Sequence, residues 1–173
     1  LIGFLSGISA GAGVIVARFF GAGDEKNLQR AVHTTVAFGL VAGVLMTGVG
    51  VALSPQILRW MDTPESVMRE SVTYLQIYFA GSLGFVMYNV LVGILQAVGD
   101  SRHPLYYLIV SSVINLVLDL LFITGFHTGV GGAAVATVIS QIVSALLCFW
   151  QLLRTKESYG LKIRKIRFDK GIL

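Results

Sequence analysis

The sequence holds one acidic side chain between Arg102 and Arg154, and that residue, Asp119, lies inside an apolar stretch. Asn115 precedes it by four residues, so a helix would place both side chains on one face. A carboxylate near the centre of a bilayer costs roughly 2.5–3.5 kcal/mol, and such groups usually face a cavity or a partner. Carboxylate and carboxamide oxygens are hard ligands, and Thr137 in the next apolar stretch could add a hydroxyl. The residues predict a site for a small hard cation or for a proton; a purely structural Asp119 is the alternative.

The sequence shows no catalytic constellation. Cys148 is the only cysteine, so an internal disulfide and a cysteine-rich metal site are both excluded. The three histidines have no metal-binding partner at helical spacing, and no GxxxxGK[ST] phosphate loop is present. We therefore predict that the chain is not an enzyme, that it uses no cofactor beyond a bound H⁺ or Na⁺, and that it binds no nucleic acid.

The composition indicates a membrane protein. The chain is 55% hydrophobic and 13% charged, with a mean hydropathy of +0.78, whereas a soluble domain carries about 25% charged residues. Residues 31–58 and 71–99 contain no Asp, Glu, Lys or Arg, and each run exceeds the ~20 residues that cross a bilayer. We predict an all-α integral membrane protein with five transmembrane helices, at about 1–17, 31–58, 71–98, 104–126 and 131–153.

The two ends of the chain differ in character. Residues 1–17 are apolar and Gly-rich and do not begin with Met, so we expect a transmembrane helix cut near its start and a fragment of a longer protein. Residues 1–153 would form a partial transmembrane lobe. The basic segment 154–173 would be a cytoplasmic linker.

Charge asymmetry predicts the orientation. Alternating spans place residues 18–30, 99–103 and 154–173 on one side, with eleven Lys and Arg residues; the other side has only Arg59 and Arg69. Because loops rich in Lys and Arg stay in the cytoplasm, the basic side is predicted to be cytoplasmic.

Polar and aromatic side chains in the third and fifth spans suggest a cavity. Aromatic, Met and amide side chains can line an adaptable pocket for bulky, flat or cationic compounds. We select Tyr78, Asn89 and Gln141 as candidate cavity residues, with helix packing as the ordinary alternative.

Several motifs resemble the multidrug and toxic compound extrusion (MATE) family of transporters. The run Gly93–Pro104 contains Gln96-Ala97-Val98-Gly99-Asp100 and is similar to the family's "G..QA.GD…P" signature. The first junction, Gly21-Ala22-Gly23-Asp24, looks like its counterpart after the second helix. The loop Trp60–Glu65 and the Asn115/Asp119 pair are similar too, so the resemblance covers nearly the whole chain.

The resemblance implies helices two to six of a twelve-helix, two-lobe transporter in the plasma membrane. It implies an H⁺- or Na⁺-coupled antiporter that exports small organic, often cationic, compounds by alternating access. In the branch it most resembles, the cation site uses an Asp and an Asn on helix five and a Thr on helix six; Asp119, Asn115 and Thr137 match these positions. The implied partners are membrane lipid and the C-terminal lobe of the same protein.

Two rival functions remain open from the sequence. A lipid-linked oligosaccharide flippase of the same superfamily would favour basic residues inside the cavity, but the five predicted spans contain no Arg or Lys. A membrane-embedded transferase would need a cluster of His, Asp or Glu at one membrane face, and no such cluster is visible.

Overall fold

The computed structural model describes residues 2–162 and residue 166, without the side chains of residues 2–6 and 8–10. Every regular element in this part of the chain is helical. In chain order the helices are α1 (Ile2–Gly21), α2 (Glu25–Trp60), α3 (Glu65–Ala80), α4 (Ser82–Ala97), α5 (Arg102–Leu120), which continues as a π-helical turn (Leu121–Gly125), and α6 (Gly129–Arg154).

The helices have the length and apolarity of membrane spans. Within the described residues, three qualify alone: α2, α5 with its π turn, and α6. The pair α3 and α4 qualifies together as a fourth, and the apolar part of α1, Gly11–Gly21, is shorter. The all-helical membrane fold is therefore confirmed with three to four apolar spans.

The third predicted span is not one continuous helix. It begins earlier than expected, at Glu65, and it breaks at Gly81, where α3 and α4 meet at an angle of 42°. The prediction of an unbroken helix over 71–98 is wrong at this point, because a glycine weakens a helix without fixing whether it breaks. In the structure Gly81 packs closely against Val138 of α6.

Two turns, one after α1 and one after α4, share one geometry. Gly23 and Gly99 have positive φ angles of 66° and 85°, and the Asp that follows each donates its amide to a carbonyl five residues earlier. This is the Schellman type of helix end, which favours glycine at the left-handed position. The turns Gly21–Asp24 and Ala97–Asp100 are thus also structural equivalents.

Asp24 then caps the following helix. Its carboxylate accepts hydrogen bonds from the backbone amide (3.1 Å) and the side-chain amide (2.7 Å) of Asn27. These bonds favour the charged form and hold the pKa of Asp24 below its ordinary value of 3.8. The cap explains why α2 begins at residue 25, six residues before the predicted span.

The core forms where α1, α2, α4 and α6 meet. Its fully buried large side chains include Leu28, Leu91, Ile94, Leu95 and Leu152. Because lipid is as apolar as leucine, close packing rather than transfer from water holds such helices together. The apolar window of α5 is only 6% buried, against 28% for α2 and 39% for α6, so α5 lies at the edge of the bundle and rests mainly on α6.

The chain leaving α6 folds back onto the N-terminal end of α2. We call residues 155–162 the strap. The side-chain nitrogen of Gln29 donates to the carbonyl oxygens of Ser158 and Gly160, the latter at 3.0 Å. The amide of Leu161 donates to the carbonyl of Leu152 at 2.8 Å, and the Leu161 side chain joins the core.

His33 completes the attachment of the strap. Its ring is 3% exposed; Nδ1 lies 2.6 Å from the carbonyl oxygen of Gln29, and Nε2 accepts the amide of Lys162 at 3.0 Å. Sequence reasoning gave His33 no role, because its partner on the strap, Lys162, lies 129 residues later. Residues 163–165 and 167–173 of the predicted linker lie outside the described part of the chain.

Candidate cation site and cavity

Asn115 and Asp119 lie one helical turn apart on α5, as their spacing predicts. The helix is regular through this region because its residues are apolar or, like Ser112, bond back to the preceding turn. The Ser112 hydroxyl donates to the Leu108 carbonyl at 2.8 Å and therefore stays within its own helix. The carboxylate and the carboxamide are left as the pair with free bonding capacity.

Both members of the pair carry an unsatisfied polar atom. Asp119 Oδ1 and Asn115 Nδ2 are buried and have no hydrogen-bond partner among the described residues. Buried polar side-chain atoms are nearly always hydrogen-bonded, so an exception indicates strain, catalysis or a bound ion or water. An amide can rotate half a turn about its last torsion, so Asn115 can offer either a donor or an oxygen ligand.

A π-helical turn follows directly after Asp119. It spans Leu121–Gly125, and the amide of Phe126 closes it by donating to the Leu121 carbonyl at 3.1 Å. The hydroxyl of Thr124 donates to the Leu120 carbonyl. Such turns are rare and frequently mark functional sites. Sequence analysis missed it, since Leu, Phe, Ile and Thr suit an α-helix as well.

A second feature is a cavity of about 190 Å³ between α2, α3, α4 and α6. Its walls combine aromatic and aliphatic side chains with two amide or hydroxyl groups from α6. The lining residues are Met46, Leu75, Tyr78, Phe79, Gly81, Ser82, Phe85, Thr137, Val138 and Gln141. The lining contains no Asp, Glu, Lys, Arg or His, so the cavity presents a neutral surface.

Three of the sequence-selected residues meet in this cavity. Tyr78 comes from α3, whereas Thr137 and Gln141 lie one turn apart on α6. The Tyr78 ring stacks on Tyr74 at a centroid distance of 6.3 Å, which orients the wall. The Thr137 hydroxyl donates to the Ala133 carbonyl at 3.0 Å, and its oxygen keeps lone pairs for a ligand.

Asn89 lies elsewhere. Its side-chain amide donates to the Phe85 carbonyl at 2.8 Å, within its own helix, and Asn89 is not one of the lining residues of the cavity. Phe85 does line the cavity, so Asn89 is connected to the cavity wall through its hydrogen bond to Phe85.

Several lining residues were not selected from the sequence. Gly81 and Ser82 lie at the break between α3 and α4, and the Ser82 hydroxyl is 3.0 Å from the hydroxyl of Thr47 on α2. A Gly-Ser pair inside an apolar run was the available signal, because such pairs are common at sharp helix bends. Phe79 and Val138 gave no signal, since apolar residues in apolar helices are expected everywhere.

The donor set suits a proton or an alkali cation better than a transition metal. Within the described residues, no group of three or more His, Cys, Asp or Glu is close enough to hold a metal ion. A carboxylate beside an amide oxygen is the kind of donor pair that binds hard cations weakly or holds a proton. The structure places Asn115 and Asp119 on one face of α5, whereas Thr137 lines the cavity, whose lining residues include none from α5.

Known proteins match this chain in sequence and in fold. A family model described as MatE matches residues 1–121, which is more than half of the chain. A probable multidrug resistance protein, YoeA of Bacillus subtilis, is 34% identical over 100% of this chain and 39% of its own length. The outward-facing structure of a multidrug resistance MATE family transporter has a TM-score of 0.89 at 26% identity, covering 99% of this chain and 38% of the other.

The inward-facing structure of such a transporter matches as well, with a TM-score of 0.86 at 27% identity over 97% of this chain and 39% of the other. The chain therefore spans about two fifths of the length of these relatives. They are described as resistance proteins and transporters rather than enzymes, which confirms the prediction that this chain is not an enzyme.

Proposed function

Because this chain belongs to the MatE family, we propose that it forms helices two to six of the first lobe of a twelve-helix exporter. The five spans would then be α1, α2, the broken pair α3–α4, α5 with its π turn, and α6. Residues 1–153 would be the lobe, and residues 154–173 would lead through the cytoplasm to the C-terminal lobe. Residues 18–30 and 99–103 would face the cytoplasm of a cell whose plasma membrane holds the protein.

We propose that the whole protein couples the entry of H⁺ or Na⁺ to the export of organic, often cationic, compounds. The observation that carries this proposal is the buried, unpartnered oxygen of Asp119 beside the unpartnered amide of Asn115. A carboxylate in an apolar bundle is stabilised by a proton or a cation and destabilised without one. Asp119, Asn115 and Thr137 would bind that ion, at one side of the lobe.

The ion changes the protein only if it binds two conformations with different affinity. We propose that the occupied form of Asp119 favours one facing of the two lobes and that the charged form favours the other. Support comes from the match of the same lobe to an inward-facing and an outward-facing transporter with similar TM-scores, 0.86 and 0.89. A lobe that keeps its fold in both states suits rigid-body rocking.

The neutral cavity would hold part of the exported compound. Tyr78 and Gln141 line it, and Asn89 borders it through Phe85. Aromatic and Met side chains adapt to different flat compounds, while the Gln141 amide and the hydroxyl groups of the lining supply polar contacts. A flippase for oligosaccharides is not favoured, because the cavity lining has no basic residue and the named relatives are multidrug proteins.

The test is transport by the full-length protein in sealed vesicles loaded with ethidium. Imposing a pH gradient and a Na⁺ gradient separately should show that one of them drives export and that collapsing it stops export. Asp24→Asn, which keeps a capping side chain outside the site, is the matched acidic control. Export that is equally fast without either gradient would contradict the proposal.

A further inference from the structure

The break between α3 and α4 is built around one close contact. Gly81 is buried, and it lies where the two helices diverge by 42°. A Cβ placed on Gly81 would lie 2.3 Å from Cγ2 and 2.6 Å from Cγ1 of Val138 on α6. No side chain fits there, so the backbone of the break rests directly on Val138.

Two further contacts hold the start of α4 in place. A Cβ on Gly84, one turn later, would lie 3.0 Å from Cγ1 of Ile142, so α4 approaches α6 closely over a full turn. On the other side, the hydroxyls of Ser82 and Thr47 are 3.0 Å apart and join α4 to α2. Small residues permit such backbone approach in lipid, where packing drives association.

The same contact lies in the wall of the cavity. Gly81 and Val138 are both lining residues, Tyr78 and Phe79 line it from the α3 side of the break, and Phe85 lines it from the α4 side. The distance between α4 and α6 therefore sets the width of the cavity. Because Val138 neighbours Thr137, any movement of this contact also moves the polar side of the cavity.

We propose that Gly81 and Val138 act as a specificity-determining pair that fixes which compounds the cavity accepts. The inference rests on the proposed transport function and deepens it. A cavity of about 150 Å³ holds a benzene ring, so about 190 Å³ suits one aromatic ring with a short substituent. Since the lining carries no ionised side chain, this cavity takes the uncharged aromatic end of a compound, and a cationic group on it lies outside.

The experiment compares Gly81→Ala, Val138→Ala and the double variant in the full-length protein. The probes are benzyltrimethylammonium, which has one ring, and ethidium, which has a fused ring system. Gly48→Ala is the matched control, since a Cβ there meets nothing within 4 Å and the residue lies on α2. The measurements are the ratio of the two gradient-driven export rates and the melting temperature of each variant.

Val138→Ala should widen the cavity and shift the export ratio toward ethidium by roughly tenfold, the scale of methylene-sized changes in apolar pockets. Gly81→Ala should lower both export rates and the melting temperature, while Gly48→Ala leaves them unchanged. The double variant should recover most of the export rate and most of the melting temperature that Gly81→Ala loses. The methyl group added at residue 81 would clash with the two Cγ atoms of Val138, and Val138→Ala removes both atoms. Such non-additivity is the signature of a direct contact.

Two results would overturn the inference. If Val138→Ala leaves the ratio unchanged while the wild-type protein exports both probes, the pair does not set specificity and the proposed function stands. If the wild-type protein exports neither probe under any gradient, the proposed function fails and this inference fails with it. Should Gly81→Ala not fold, the export ratio of Val138→Ala alone decides.

Discussion

His33 on α2 and Asp119 on α5 are both polar groups within an apolar bundle, but they differ in whether their polar atoms are hydrogen-bonded. Both ring nitrogens of His33 have partners, at 2.6 Å and 3.0 Å. Among the described residues, Asp119 has a buried oxygen with no hydrogen-bond partner. Its neighbour Asn115 has a buried nitrogen with no hydrogen-bond partner. A satisfied polar group stabilises one structure, whereas an unsatisfied one destabilises the empty site and so favours a ligand.

The two helices differ in the same way. The apolar window of α2 is 28% buried, and α2 contacts α1, α3 and α4; that of α5 is 6% buried, and α5 rests on α6. Helix α2 therefore lies inside the described part of the lobe, whereas α5 presents Asn115 and Asp119 from its edge.

The largest expected effect is that of Asp119→Asn. Asparagine keeps the shape but cannot take up a proton or neutralise a cation, so gradient-driven export should fall by roughly 100-fold, the factor that about 2.8 kcal/mol of differential binding provides. Thermal stability should hold or rise, because a buried unpaired carboxylate is removed. Export rates in vesicles and a melting curve measure both quantities. Full export by this variant would mean that Asp119 is architectural, like His33.

His33→Ala should show the opposite pattern. It leaves the Lys162 amide and the Gln29 carbonyl without their side-chain partner, and an unsatisfied buried group costs about 1–3 kcal/mol. The melting temperature should fall, and hydrogen exchange should speed up at the Lys162 amide more than at the Leu161 amide. His103→Ala, a half-exposed histidine paired with Asp100, is the control. If His33→Ala changed the ion dependence of export and left the melting temperature unchanged, the proposed difference between His33 and Asp119 would be contradicted.

Asn115→Leu tests the same difference between α2 and α5 and should have a smaller effect than Asp119→Asn. Leucine has a similar size and no polar atom, so stability should be unchanged or slightly higher. The affinity for the coupling ion should fall by roughly fivefold to tenfold, which is about 1–1.4 kcal/mol and the net contribution of one polar contact. The measurement is the ion concentration that gives half-maximal export. A large loss of stability would show that Asn115 has a structural partner.

Asp24→Ala should have the smallest effect. Removing the cap should fray the first turn of α2 and slightly lower the melting temperature, whereas Asp24→Asn should retain it. Because the folded pKa of Asp24 is lowered, its contribution is present above 3.8 and is lost as the pH falls through the folded value. A melting series from pH 7 down to pH 3 measures this. An equal loss in both variants at pH 7 would contradict the capping role.

Much of the architecture could be predicted from local sequence. Runs without charge define most of α2 and α6, and the four-residue spacing of Asn115 and Asp119 predicts that both lie on one face of α5. These features depend on composition and helical spacing, which the sequence displays directly.

Features that depend on distant contacts could not be predicted. The break at Gly81 packs against Val138, which lies 57 positions later in the sequence. The role of His33 depends on Lys162 in the same way. The cavity brings together Tyr78 of α3 and Gln141 of α6, and the periodicity within one helix cannot predict a contact between two helices.

The strap has a mechanical consequence. Leu161 is bonded to Leu152 on α6, and Lys162 is bonded to His33 on α2, so a pull on the chain beyond residue 162 loads two helices at once. A force applied at Lys162 is therefore shared between α2 and α6 rather than carried by the last turn of α6 alone.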